Sequence, residues 1–78
     1  MSITMEAAIA SIGAGLAIFG GAVGTGIAQS GIGSAGMGLL AEKPEEIGKV
    51  ILFLVIPETL VIFGLVIAIL ISLSAGII

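Results

Sequence analysis

The chain has no cysteine, histidine or aspartate, only two prolines and few charges. Without cysteine it can form no disulfide or thiolate metal site, and without histidine or aspartate most metal and acid–base constellations fall away. That shortage argues against a conventional enzyme. Charged residues make up 9% of the 78 and hydrophobic residues 59%, whereas a water-soluble surface normally takes about 25% charged residues. The sequence therefore predicts an integral membrane protein. Its length allows two spans of about 20 residues or more with a short connection, a single hairpin with no room for a soluble domain. No GxxxxGK[ST] pattern is present, and the glycines lie in an apolar helix, so the chain itself is not expected to hold nucleotide. No cofactor or nucleic-acid partner is expected either.

The start, Met1 to Glu6, has no Lys or Arg before the apolar stretch. A cleavable signal peptide needs a positive start, so the first span is expected to be retained. The net charge of −3 says little about partners, because Glu42, Glu45 and Glu46 share one short loop. Both lysines, Lys43 and Lys49, lie in or beside it. By the positive-inside rule the loop is cytoplasmic and both termini lie on the far side.

The spacing predicts an all-α, antiparallel two-helix hairpin forming one membrane domain over 1–78. Helix one covers about 7–40, a polar loop 41–47 and helix two about 48–74. Helices follow because an isolated hairpin of strands would leave unsatisfied backbone groups in lipid. At 1.5 Å per residue each comes to about 40–50 Å, longer than the roughly 30 Å hydrocarbon core. Lys43-Pro44 supplies the turn, since proline disfavours helix for the residue before it.

Ten of the 13 glycines fall in helix one, whereas Val50 to Ile71 is nearly all Val, Ile, Leu and Phe. Gly13, Ala17, Gly20, Gly24, Ala28, Gly31, Ala35 and Gly38 recur at steps of three and four, a seam with no side chain larger than a methyl. Such a seam lets helix backbones approach closely in lipid. Each glycine costs about 1 kcal/mol of helix propensity against alanine, so this many require a packing reason. A second row, Gly15, Ala22, Gly26, Gly33 and Gly36, lies on another side. Two smooth faces suit a ring of identical hairpins better than a closed dimer.

Glu58 is the one ionisable residue in the run Val50 to Ile71. A carboxylate at the bilayer centre costs about 2.5–3.5 kcal/mol on insertion scales, so such residues mark ion or proton sites with a partner nearby. Gln29 is the only amide side chain and is as far from the Lys43-Pro44 turn as Glu58, so an antiparallel hairpin sets the two at one depth. Thr59 adds a hydroxyl. Pro57 has no N–H, which predicts a helix kink and frees the carbonyl of Phe53. Carbonyls from Phe53 to Ile56, with Ile56 foremost, become candidate ligands. Carboxylate, amide oxygen, hydroxyl and carbonyl form an oxygen set suited to a hard monovalent cation, making Na⁺ at Glu58, Gln29 and Thr59 a candidate. A carboxyl that only bonds helices together is the alternative, but Ile51, Leu54, Val55, Ile62, Leu65 and Ile69 around it are bulky and apolar. That face can look outward.

These residues resemble a known family. Gly24-Thr-Gly-Ile-Ala-Gln-Ser-Gly-Ile-Gly33, the short polar loop and Pro57-Glu-Thr-Leu-Val-Ile-Phe-Gly64 are similar to the single-hairpin rotor-ring proteolipid, the c or K subunit, of vacuolar/archaeal-type rotary ATPases. The resemblance implies a ring of identical subunits in a prokaryotic cell membrane. It also implies a stator subunit whose arginine meets each ring carboxylate, and central-stalk subunits on the loop side. Glu58 matches the ion-carrying carboxylate, and Gln29 and Thr59 its accessory ligands. Many sodium-type rings place a tyrosine about a turn after the carboxylate; here Phe63 stands five residues on. The cargo stays open between H⁺ and Na⁺. Two other classes are a small self-assembling pore and a structural proteolipid. A pore needs a polar stripe where only Gln29 and Glu58 are available, and a structural proteolipid leaves Glu58 without a purpose.

Overall fold

Thr4 begins the first helix. Its hydroxyl oxygen accepts from the N–H of Ala7 at 3.0 Å, satisfying one of the donors that a helix start leaves free, and Glu6 adds negative charge to the first turn. In the computed structural model, which describes residues 3–78, this helix, α1, runs unbroken over Met5–Glu42. Thirty-eight residues at 1.5 Å each span about 57 Å, and the whole hairpin measures 58 × 15 × 15 Å.

The chain reverses at Lys43, whose N–H still bonds the carbonyl of Leu39 at 2.7 Å. Lys43 adopts an extended φ of −135° ahead of Pro44, and Pro44 opens a 3₁₀ turn over Pro44–Glu46. Proline suits that first position because its missing N–H would be unpaired there anyway. The return arm is α2, Ile47–Val55, followed by α3, Glu58–Ser74. The arm ends in a glycine-capped reversal: Gly76 at φ 73° donates to Leu73 at 3.2 Å, and Ile77 donates to Ser72 at 2.9 Å. Both arms are thus capped at the end of the hairpin opposite the turn, and the non-helical connection at the turn shrinks nearly to Lys43 alone.

The fold is an all-α antiparallel hairpin of two arms, each long and apolar enough to cross a membrane. On α1 the residues turned toward the return arm recur every three or four positions, through Ala14, Ala17, Gly21, Thr25, Gln29, Ile32 and Gly36. The facing row is Val50, Leu54, Pro57, Val61, Gly64 and Ala68. Contact is closest at three glycines. A Cβ on Gly21 would stand 2.6 Å from the carbonyl oxygen of Leu60, one on Gly64 2.6 Å from that of Ala17, and one on Gly36 2.6 Å from Cγ1 of Val50. Of the seam read from the sequence, Ala17 joins this contact but the glycines do not. A Cβ on Gly13, Gly20, Gly31 or Gly38 would meet nothing within 4 Å, and on Gly24 only Cδ1 of Leu60 at 3.9 Å.

Among the described residues only Ala14 and Val50 are buried hydrophobics. Ile12, Phe19, Ile27, Phe53 and Phe63 are more than half exposed. One hairpin has no hydrophobic core of its own, so its apolar surface has to be covered by lipid or by other helices.

Candidate functional site

Interrupting a helix in lipid leaves backbone carbonyls without donors, each costing several kcal/mol unless met. Pro57 creates that problem at the junction of α2 and α3. The backbone there keeps helical angles (Ile56 φ −59°, ψ −48°; Pro57 φ −63°, ψ −20°), so the return arm passes through with its hydrogen-bond ladder interrupted. Three side chains donate to carbonyls around the break, though none of them to that of Phe53. The amide nitrogen of Gln29 donates to Leu54 at 3.0 Å. The hydroxyl of Thr25 donates to Pro57 at 2.7 Å, alongside the N–H of Leu60 at 3.0 Å. Ile56 accepts from both the N–H of Thr59 at 3.2 Å and its hydroxyl at 2.9 Å.

Gln29 does a second job from the same atom. Its Nε2 donates to Oε2 of Glu58 at 3.0 Å, so one amide group spans the broken ladder and the carboxyl. Glu58 is the first residue of α3 and is exposed, while Gln29 is half-buried in the groove between the arms. The carboxyl therefore sits on the outer flank of the hairpin, tethered from behind. Ile51, Val55, Ile62, Leu65 and Ile69 are exposed with it on the same arm, whereas Leu54 turns partly inward.

Of the four groups expected at an ion site, the structure joins Gln29 to Glu58 and Thr59 to Ile56. No hydrogen bond links the two pairs among the described residues. Among the carbonyls near the proline, Leu54 is the one that Gln29 reaches. Sequence reasoning missed Thr25, the only buried polar residue among those described, at 4% exposure. The signal was present: Thr25 precedes Gln29 by four residues, one turn along the same face. At the turn, Lys49 pairs with Glu46 at 3.2 Å across three residues, with the lysine side chain 71% exposed. Exposed pairs of this kind contribute little, so this is a solvated surface contact.

An all-α hairpin with two membrane-crossing arms and one outward carboxyl tethered at a proline break defines a class, the small membrane proteolipids. The chain belongs to the ATP synthase C-subunit family, which it matches over residues 12–71. It is 38% identical over 63 residues to the A-type ATP synthase subunit K of Methanocaldococcus jannaschii, covering 81% of this chain and 29% of that protein. It is 42% identical over 64 residues to the V-type sodium ATPase subunit K of Enterococcus hirae, covering 82% and 41% respectively. With the A-type ATP synthase subunit K of Sulfolobus acidocaldarius it shares 43% identity over 67 residues, covering 86% and 65%. The chain thus spans between 29% and 65% of the length of these three relatives. No solved structure matches it significantly.

Proposed function

We propose that the chain is the ion-carrying subunit of the rotor ring in the membrane sector of a V/A-type rotary ATPase or ATP synthase, working as a non-catalytic part of that machine. The observation that carries this reading is the Glu58 carboxyl, exposed on the flank of a membrane hairpin and tethered by Gln29 at 3.0 Å. Identical hairpins form the ring, with the polar turn toward the cytoplasm and the central stalk, and both termini on the far side. Loaded with its ion, Glu58 is neutral and can pass through lipid. Unloaded, it is an anion and must stay near the positive charge of a stator arginine. That difference ties ion movement to rotation. One carboxyl per hairpin sets ions per turn equal to the number of hairpins, and each charge crossing 100 mV is worth about 2.3 kcal/mol.

The cargo is H⁺ or Na⁺. Support for sodium comes from the Enterococcus relative, which is named as a sodium ATPase subunit, and from the oxygens of Glu58, Gln29, Thr59 and Ile56 near the break. Support for the proton comes from Phe63, which offers no hydroxyl, and from Gln29, which turns its N–H donors toward the carboxyl and Leu54. The test of the reading is Glu58→Gln, which keeps size but cannot cycle charge: ion transport should stop while the ring still assembles. A hydrophobic carbodiimide, which needs a protonated carboxyl in an apolar setting, should label Glu58 selectively. Transport at the original rate by the Gln variant would overturn the reading.

A further inference from the structure

Three residues of α1 stand one helical turn apart on the face toward the return arm, and each meets a backbone carbonyl of that arm. Gly21 lies under the carbonyl of Leu60, close enough that a Cβ would come within 2.6 Å. Thr25 donates to the carbonyl of Pro57 at 2.7 Å. Gln29 donates to the carbonyl of Leu54 at 3.0 Å. Spaced at i, i+4 and i+8, they form a single ridge seated along the break. Of the three, Gln29 alone also touches Glu58.

Thr25 departs from what its type usually does. A threonine inside a helix commonly turns its hydroxyl back to the carbonyl four residues earlier, as Ser11 does to Ala7 at 2.9 Å and Ser72 to Ala68 at 2.8 Å. Thr25 instead spends its only donor across the groove, on the residue immediately before Glu58. At 4% exposure it has no water to turn to.

We propose that Thr25 is a positioning residue for Glu58. By holding the carbonyl of Pro57, it fixes where the first turn of α3 begins, and so sets the carboxyl within reach of Gln29. It touches neither the carboxyl nor the cargo and acts through the backbone between them. This inference rests on Glu58 being the ion carrier.

The chain holds three threonines and two prolines, so labelling those residue types alone gives a readable spectrum. Proton-detected solid-state NMR of the assembled protein in lipid should show a cross-peak between the Thr25 hydroxyl hydrogen and the Pro57 carbonyl carbon. The peak should persist in Thr25→Ser and vanish in Thr25→Val, which keeps the shape without the donor. Carbodiimide labelling of Glu58 should then run about threefold faster in the Val variant, the size of one interhelical hydrogen bond in a membrane, and at the original rate in the Ser variant. In a Gln29→Leu background, Thr25→Val should add nothing, because the contact it sets is already gone. A missing cross-peak in the original protein, unchanged labelling in the Val variant, or effects that simply add to those of Gln29→Leu would each overturn the proposal. If the Val variant fails to assemble, the cross-peak and the Ser variant still decide. Retained transport in Glu58→Gln with the cross-peak present would instead sink the carrier reading and leave the bond standing.

Discussion

Gly21 tests whether the close approach of the two arms serves the carboxyl. In Gly21→Ala the new Cβ would lie 2.6 Å from the oxygen of Leu60, 3.1 Å from Cα of Val61 and 3.2 Å from the Leu60 carbonyl carbon. All three are backbone atoms, so no side chain can swing aside and α3 must retreat. The shortfall from an ordinary 3.4 Å contact is about 0.8 Å, and close-packed interiors do not absorb that locally. Even half of it would stretch the 3.0 Å bond between Gln29 and Glu58 to about 3.4 Å, the edge of hydrogen-bond range. Overpacking costs about 1–3 kcal/mol, while alanine returns about 1 kcal/mol of helix propensity. The net is about 0–2 kcal/mol, small enough for the hairpin to persist. The substitution should therefore register at the carboxyl more than in assembly. Carbodiimide labelling of Glu58 should run several-fold faster, with ring yield in mild detergent close to that of the original. Gly36→Ala is the control, because its Cβ meets the Val50 side chain near the turn, far from Glu58. Equal labelling in all three proteins, with rings intact, would refute the coupling of arm spacing to the site.

Gln29→Leu removes both bonds from its amide, so the Leu54 carbonyl is orphaned and the hairpin should lose about 1–3 kcal/mol, read as a lower dissociation temperature, together with faster labelling of Glu58. Gly31→Leu places a large side chain where a Cβ meets nothing within the hairpin; ring mass should change or assembly should fail, and an unaltered ring would show that this face looks onto lipid. If the cargo is Na⁺, sodium should slow the labelling of Glu58, more so at higher pH where fewer protons compete, and Thr59→Ala should weaken that protection because hard cations are selected by ligand number and cavity size. Phe63→Tyr should strengthen it by adding a hydroxyl; labelling indifferent to sodium in both the original and this variant would assign the site to H⁺.

The two-arm hairpin was legible in the sequence because composition and length leave a chain this apolar few other structures in lipid. The partnership of Gln29 and Glu58 was also legible, since equal distance from a proline turn fixes equal depth whatever the packing. The first helix extended past its expected limits because Thr4 caps it earlier and Pro44 opens a turn instead of a loop. Which glycines join the arms was hidden for a different reason. Helix one carries small residues on several faces at the same three-and-four spacing, so periodicity cannot say which stripe meets the return arm. The answer lies in the rotation of α1, set by Thr25 and Gln29 reaching for carbonyls. Thr25 was overlooked because a lone threonine in a helix ordinarily satisfies itself, and only the broken ladder of the return arm gives its hydroxyl another target.

That division of faces has a mechanical consequence. The face of α1 bearing Gly21, Thr25, Gln29 and Gly36 is used up inside the hairpin, and Glu58 is left outside on the return arm. The two sets of demands therefore meet only in Gln29: the inner ridge holds the proline break, while the carboxyl hangs from that ridge by one amide hydrogen bond. In membranes such bonds average about 0.6 kcal/mol, roughly thermal energy, so on the proposed reading an ion or a stator charge at the flank would break the tether without disturbing the fold. On that reading, a carboxyl buried in the groove, where Thr25 lies, would need the arms to part for each exchange of an ion. Placing it outside, with the backbone break secured behind it, separates the moving part from the supporting one.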